Sequence, residues 1–263
     1  MTRDSVAFDR AADYYDETRG FPPGHEAAVA RLFVQAGGLT SRSRVLEIGV
    51  GTGRIALPLA RHVASITGVD LARPMMARLR AKQRGEPVRL VQGDVTELPL
   101  PARAFDAVLA VHVFHLVAGW EQALAEVARV LRPGAVLLSG WNDNDRRDEA
   151  RDILWETWQA ATGADSVPNV GVGRAQYRTF LTDAGWQRAG DMLTHPYTVT
   201  RTAEDFLRQL ERRIWSNTWR LSVEALARGA GAVREAIREH RIDPTAPQTY
   251  ARTFNVEAYR PPA

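Results

Sequence analysis

Val45-Leu46-Glu47-Ile48-Gly49-Val50-Gly51-Thr52-Gly53-Arg54-Ile55-Ala56 is an aliphatic run that ends in three alternate glycines and then opens a helix-period segment. Glycines at such a turn permit positive φ and let the backbone approach a ligand with no side chain in the way. The spacing is Gly-x-Gly-x-Gly followed by Arg54, so the third glycine of the dinucleotide fingerprint Gly-x-Gly-x-x-Gly is missing from the position where a helix packs on a pyrophosphate. Glu47, just before the glycines, would set a negative charge beside a phosphate. A cationic ligand end, such as an amino group or a sulfonium, suits it better.

Working outward, residues 44–141 alternate short β-branched runs with longer helix-period stretches, the pattern of stacked βαβ units in a parallel sheet. Strands are expected at Arg44-Ile48, Ser65-Asp70, Val88-Gly93, Phe105-Val111 and Ala135-Trp141. Helices are expected near Arg54-His62, Pro74-Arg84 and Trp120-Leu131, each long enough for a right-handed crossover. Asp70 closes the second strand, about where a carboxylate grips both hydroxyls of a ribose; its simpler role is an N-cap. At the end of the third strand, Gln92-Gly93-Asp94-Val95 offers a carboxylate for an exocyclic amine and a backbone N–H for a ring nitrogen, a pairing that reads adenine.

Upstream, Asp9-Arg19 and Gly24-Ala36 have helical spacing, broken by Gly20-Phe21-Pro22-Pro23. Downstream, Arg147-Thr162, Arg174-Ala184 and Thr202-His240 read as helical, Arg188-Thr200 and Thr249-Tyr259 as strands, and Val167-Gly173 as a linker.

The 263 residues carry no cysteine, which excludes disulfides, thiolate metal sites and cysteine nucleophiles. The net charge is +3 and the pI about 9.6, but Lys82 is the only lysine. The positive charge is therefore arginine that does not deprotonate, spread along the chain in short pairs such as Arg146-Arg147 and Arg212-Arg213. No basic run reads as a nucleic-acid tail. The polar N-terminus MTRDSVAFDRAADYYDETRG lacks the apolar core of a secretory signal, and the longest apolar stretch, Ala107-Val117, is too short to span a bilayer. A cytoplasmic protein with no membrane and no nucleic-acid partner is expected.

The ordered series VLEIGVGTGRIALPLA (45–60), ITGVDLARPMM (66–76), VQGDVTELPLPARAFDAVLAVHVFHLV (91–117) and WEQALAEVARVLRPGAVLL (120–138) resembles the class I S-adenosylmethionine-dependent methyltransferases, in particular the small-molecule group that includes quinone-biosynthesis C-methyltransferases. The resemblance covers roughly residues 9–141. It implies a seven-stranded, mostly parallel Rossmann-like sheet with helices on both faces. Arg188-Thr200 and a final antiparallel Thr249-Tyr259 would be the last strands, with a helical cap at Thr202-His240 inserted between them. It implies one domain over residues 1–263: N-terminal helices (1–40), a cofactor-binding core (41–141), helices and the sixth strand (142–200), the cap (201–248) and the last strand (249–263). By resemblance, Glu47, Gly49 and Gly51 hold the methionine part of S-adenosylmethionine, Asp70 the ribose, Leu71 and Met75 the adenine faces, and Asp94 with Val95 the adenine edge. Tyr15-Asp16 with Arg19 resembles the segment that closes over the cofactor.

His112 and His115 fall at the carboxyl end of the fourth strand, where open α/β sheets place their ligand crevice. By resemblance His112 lies beside the reactive methyl. It is the candidate general base, because an unperturbed imidazole titrates near neutrality; His115 reads as a packing residue. No carboxylate or third histidine accompanies the pair at ligand spacing, so no metal is expected. Trp141, Asn142 and Asp143 at the end of the fifth strand are candidate acceptor contacts. The C-terminal helices carry Trp155, Trp158, Phe206, Trp215 and Trp219. Ordinary core is the simplest reading of each, but as a group they fit a cap over a flat or apolar acceptor, with Phe206, Trp215 and Trp219 as its preferred wall. The expected function is methyl transfer from S-adenosylmethionine to a small-molecule acceptor, releasing S-adenosylhomocysteine. A non-catalytic S-adenosylmethionine-binding module and a nicotinamide-dependent oxidoreductase are the rivals.

Overall fold

The computed structural model describes residues 5–144, 149–165 and 170–262. The Arg146-Arg147 pair and the first half of the Val167-Gly173 linker lie outside them. Strands β1 (Arg44–Ile48), β2 (Ser65–Asp70), β3 (Val88–Gln92), β4 (Phe105–Val111) and β5 (Leu131–Asn144) pair in parallel in the order β3-β2-β1-β4-β5. Val45, Leu46 and Ile48 of β1 and Ala107, Val108 and Leu109 of β4 are fully buried. That is why these strands read as continuous apolar runs with no in-out alternation. The chain runs outward from β1 to β3 and then returns to the other side of β1 for β4. This reversal opens a crevice at the carboxyl ends of β1 and β4, and both the glycine loop and His112 follow directly there.

α1 (Tyr15–Arg19), α2 (His25–Gly37), α3 (Ala56–Leu59), α4 (Arg73–Lys82) and α5 (Trp120–Val130) precede or connect the strands. Two expected helices are shorter than their spacing predicts. Gly53 at φ +78° and a turn through Arg54 and Ile55 defer α3 to Ala56. The expected helix Asp9-Arg19 divides into a 3-10 turn (Asp9–Ala11) and α1, which lets Phe8 and Tyr15 meet edge to face at 6.1 Å.

The expected strand Arg188-Thr200 is two strands, β6 (Gln187–Arg188) and β7 (Leu193–Arg201), separated where Gly190 takes φ +90°. The last strand, β8 (Gln248–Arg260), pairs with both and runs antiparallel to β6, with Arg188 opposite Tyr259. Among the described residues the sheet thus has eight strands, seven of them on its main path and β7 beside β8.

Two compact units emerge. The first holds residues 1–142, 169–195 and 254–263. Its core joins Ile48, Val108 and Leu137 of the sheet to Leu124 of α5 and to Tyr177 and Leu181 of α7 (Arg174–Asp183). The second holds residues 143–168 and 196–253, so α6 (Glu149–Thr162) belongs with α8 (Ala203–Glu211) and α9 (Val223–Glu239). The sequence reading had grouped it with the sheet-completing segment instead. Leu154, Trp158, Phe206, Leu210 and Val233 form the second core. Gly229 is required there: a β-carbon on it would stand 2.5 Å from the Trp158 ring. A capping box between Thr202 and Asp205 starts α8, and the Ser222 hydroxyl starts α9 by accepting from the Ala225 N–H. No helix among the described residues is long and apolar enough to cross a membrane.

Candidate active site

The glycine loop is shaped by its own backbone. Gly49, Gly51 and Gly53 take φ of +66°, +54° and +78°, the region that side chains with a β-carbon avoid. The N–H groups of Gly49 and Val50 both donate to the Val69 carbonyl, at 2.8 and 3.1 Å, which locks the loop against β2. Gly49 also admits the next element: a β-carbon on it would lie 2.6 Å from Val113, the residue after His112.

Asp70 fastens this loop to the start of α4. Its carboxylate accepts from the Gly51 N–H and the Ala72 N–H, each at 2.8 Å. The N-cap reading and the ligand reading are compatible, because each carboxylate oxygen keeps a further lone pair for a ribose hydroxyl. Burial raises the Asp70 pKa, while the two backbone donors pull the other way.

Glu47 is 3% exposed, and its Oε2 is buried with no hydrogen-bond partner. Burial pushes its carboxyl up to about 8, against the pull of the Arg54 guanidinium and with a further push from Asp70. An unmatched buried carboxylate is costly unless a cation or donor meets it. The group that fits this gap carries a positive charge. The α-ammonium of S-adenosylmethionine meets that requirement, whereas the pyrophosphate of a nicotinamide dinucleotide adds a second anion.

The N-terminal segment lies against the loop. The Thr52 hydroxyl donates to Asp16 at 2.5 Å, Lys82 pairs with the same carboxylate at 2.7 Å, and Arg54 donates to the Arg19 carbonyl at 2.7 Å. Phe8 and Tyr15 pack on Ala12, Ala72 and Met75. Tyr15, Arg19 and Met75 are thus brought together at the glycine loop and the head of α4. Leu71 accepts from the Gln92 amide through its carbonyl at 3.2 Å. Asp94 is half-buried, with Oδ1 accepting from both the N–H and the hydroxyl of Thr96, at 2.9 and 2.8 Å, and Val95 is buried beside it. The sequence reading missed Tyr14, whose hydroxyl is buried without a partner among the described residues. Adjacent tyrosines in a short turn give no periodicity from which to choose the inward one.

His112 adopts φ +55°, uncommon for a residue with a β-carbon, as the chain leaves β4. Its Nε2 lies 3.1 Å from Asn142 Oδ1, and its ring meets the His115 ring edge-on at 6.4 Å. Burial foremost, then the Arg54 charge, hold the His112 imidazole down at about 3 in spite of Asn142. Burial and Arg19 also lower His115. The His115 carbonyl accepts from the Gly171 N–H at 3.0 Å.

Alternation along β5 separates residues that the sequence had grouped. Asn142 reaches His112, whereas Trp141 points to the other face, its ring beneath the Arg174 and Arg178 guanidinium groups at 4.8 and 5.1 Å. Arg178 also pairs with the buried Glu257 at 2.7 Å. Asp143 begins the second unit. Within that unit Phe206 and Trp215 are in ring contact at 5.7 Å, and Trp155, not among the preferred wall residues, completes their cluster. Trp219 is held in a turn, its indole N–H donating to the Arg213 carbonyl at 2.7 Å.

Residues 46–139 match the methyltransferase domain family. Demethylmenaquinone methyltransferase of Thermus thermophilus is 42% identical over 99 residues, 36% of this chain and 45% of that protein. Fatty-acid O-methyltransferase of Mycolicibacterium smegmatis is 36% identical over 143 residues, 51% of this chain and 52% of that protein. The chain spans about half the length of these curated relatives. The solved Haemonchus contortus phosphoethanolamine N-methyltransferase 2, in complex with S-adenosylhomocysteine, shares the fold at a TM-score of 0.55 and 18% identity, covering 97% of this chain and 58% of that one. The likeness to methyltransferases is therefore carried by residues 46–139, the stretch that holds the glycine loop, Asp70, Asp94 and His112.

Proposed function

We propose that the chain transfers the methyl group of S-adenosylmethionine to a small organic acceptor. The observation that carries this reading is the buried, unmatched Oε2 of Glu47 at the foot of a glycine loop shaped for close backbone approach. When bound, the cofactor would supply a sulfonium methyl whose carbon the acceptor nucleophile attacks in line, with S-adenosylhomocysteine leaving as the neutral thioether. Most of the work left to the protein is to hold the two partners in near-attack geometry. Glu47 receives the ammonium end, and Gly49 and Gly51 keep the loop clear for the methionine chain. Asp70 takes the ribose, Leu71 and Met75 line the adenine faces, and Asp94 with Val95 take the adenine edge. Tyr15 and Arg19 close the segment over it.

His112 acts as a neutral group. An imidazole held at about 3 is uncharged throughout the physiological range and is too weak a base to draw a proton from an acceptor of high pKa. With Nε2–H donated to Asn142, Nδ1 retains its lone pair and accepts a hydrogen bond from an acceptor O–H or N–H, which orients the attacking atom.

The test is incubation of the purified protein with S-adenosylmethionine and a panel of quinols, fatty acids, phenols and amines, reading S-adenosylhomocysteine formed. Acceptor-dependent turnover is the expected result. Tight cofactor binding with no turnover on any acceptor class would favour a binding module.

A further inference from the structure

In the second unit Trp155, Phe206 and Trp215 form a triangle of rings, with centroids 6.1 Å apart for Trp155 and Phe206, 6.0 Å for Trp155 and Trp215, and 5.7 Å for Phe206 and Trp215. Phe206 is buried, whereas Trp155 and Trp215 are only partly so. On α6, one turn before Trp155, Arg151 lays its guanidinium 5.4 Å from the Phe206 ring centre and 4.5 Å from that of Tyr250. Tyr250 belongs to the part of β8 within this unit. Residues two apart on a strand share a face, so Arg252 follows Tyr250 on the side that Arg151 covers.

Arg252 Nε is buried with no hydrogen-bond partner, and among the described residues its guanidinium joins no ion pair. Arginine stays charged at any physiological pH, so an unmatched buried donor on it is a group awaiting an anion. A guanidinium presents parallel N–H groups that fit the two oxygens of a carboxylate or phosphate.

We propose that the second unit binds an amphipathic organic anion, with its apolar or aromatic body against Trp155 and Trp215 and its oxyanion on Arg252. This rests on the reading of the chain as one that handles a small organic molecule.

The full chain is titrated calorimetrically with decanoate, decyl phosphate and decanol, each below its micellar concentration, and separately with S-adenosylhomocysteine. At least one anion is expected to bind tenfold or more tighter than decanol, and the tighter of the two identifies the oxyanion. Arg252→Gln weakens that anion by about ten- to a hundredfold and leaves decanol unchanged, while Arg252→Lys recovers part of the loss. Trp215→Ala weakens all three ligands. Equal affinity for anion and alcohol, no binding of either anion, or an unchanged anion affinity in an Arg252→Gln protein that melts normally overturns the proposal. Failure of S-adenosylhomocysteine to bind would instead strike the cofactor reading and leave the anion result standing.

Discussion

Glu47 in the first unit and Arg252 in the second are opposite cases of one condition: each buries a charged-group atom that the described chain does not match. The carboxylate sits in a frame built from its neighbours in sequence, since Gly49, Gly51 and the strand end at Asp70 lie within two dozen residues. The guanidinium follows Tyr250 on β8, in a unit whose Arg151, Phe206, Trp215 and Tyr250 come together from up to about a hundred residues apart. The residues proposed to hold the cofactor form a local motif. The surroundings of Arg252 exist only once the chain has folded.

The largest expected effect falls on the second unit. Phe206→Ala removes a fully buried ring and costs about 3–5 kcal/mol of stability, read from the denaturation midpoint. A loss under about 1 kcal/mol would mean that the three-ring triangle is not a packed core.

Glu47→Gln sharpens the contrast because it acts in two directions. Losing the charge that meets an ammonium lowers S-adenosylhomocysteine affinity by about a hundredfold. Stability changes the other way. The folded carboxyl titrates at about 8, above its ordinary value of 4.5, so the fold favours the neutral acid. The stability this gives is fully present below pH 4.5 and is lost as the pH rises through 8. Glu47→Gln keeps the neutral form, so at pH 9 it melts higher than the parent, and the gap closes toward pH 5. Parallel melting curves at both pH values would contradict this.

Asp70→Ala strands the Gly51 and Ala72 N–H groups and is expected to cost about 1–3 kcal/mol, with about a tenfold loss of cofactor affinity. The smallest effect belongs to His112. Its imidazole is neutral above about pH 3, so the turnover rate carries no ionisation of His112 between pH 6 and 8. His112→Asn, which tolerates positive φ, lowers turnover without changing the melting temperature by more than a degree or two. A turnover rate that titrates near pH 6.5 and loses that step in His112→Asn would restore the general-base role.

Much of the first unit was legible in advance. β1, β2 and β4 begin and end where their apolar runs do, because a strand buried on both faces leaves no other pattern to follow. The less legible parts share a cause. Gly190 interrupts a strand whose composition never changes, and α6 joins helices more than fifty residues downstream through Trp158 and Gly229. Trp141 and Asn142 are neighbours in sequence but point to opposite faces of β5. Motif spacing pointed to Glu47 and Asp70, yet it could not reveal that Glu47 Oε2 lacks a hydrogen-bond partner. That depends on how deeply β1 is buried and on which cations reach it.

The most direct test of the cofactor site is calorimetric titration of the protein at pH 7 with S-adenosylhomocysteine and with NADH, each in buffers of different ionisation enthalpy. Glu47 is mostly protonated at that pH and must give up its proton to meet the ammonium, so S-adenosylhomocysteine is predicted to bind with release of about one proton while NADH does not bind. Binding of NADH alone, or of S-adenosylhomocysteine with no proton released, would contradict the assignment of Glu47 as the group that receives the cofactor.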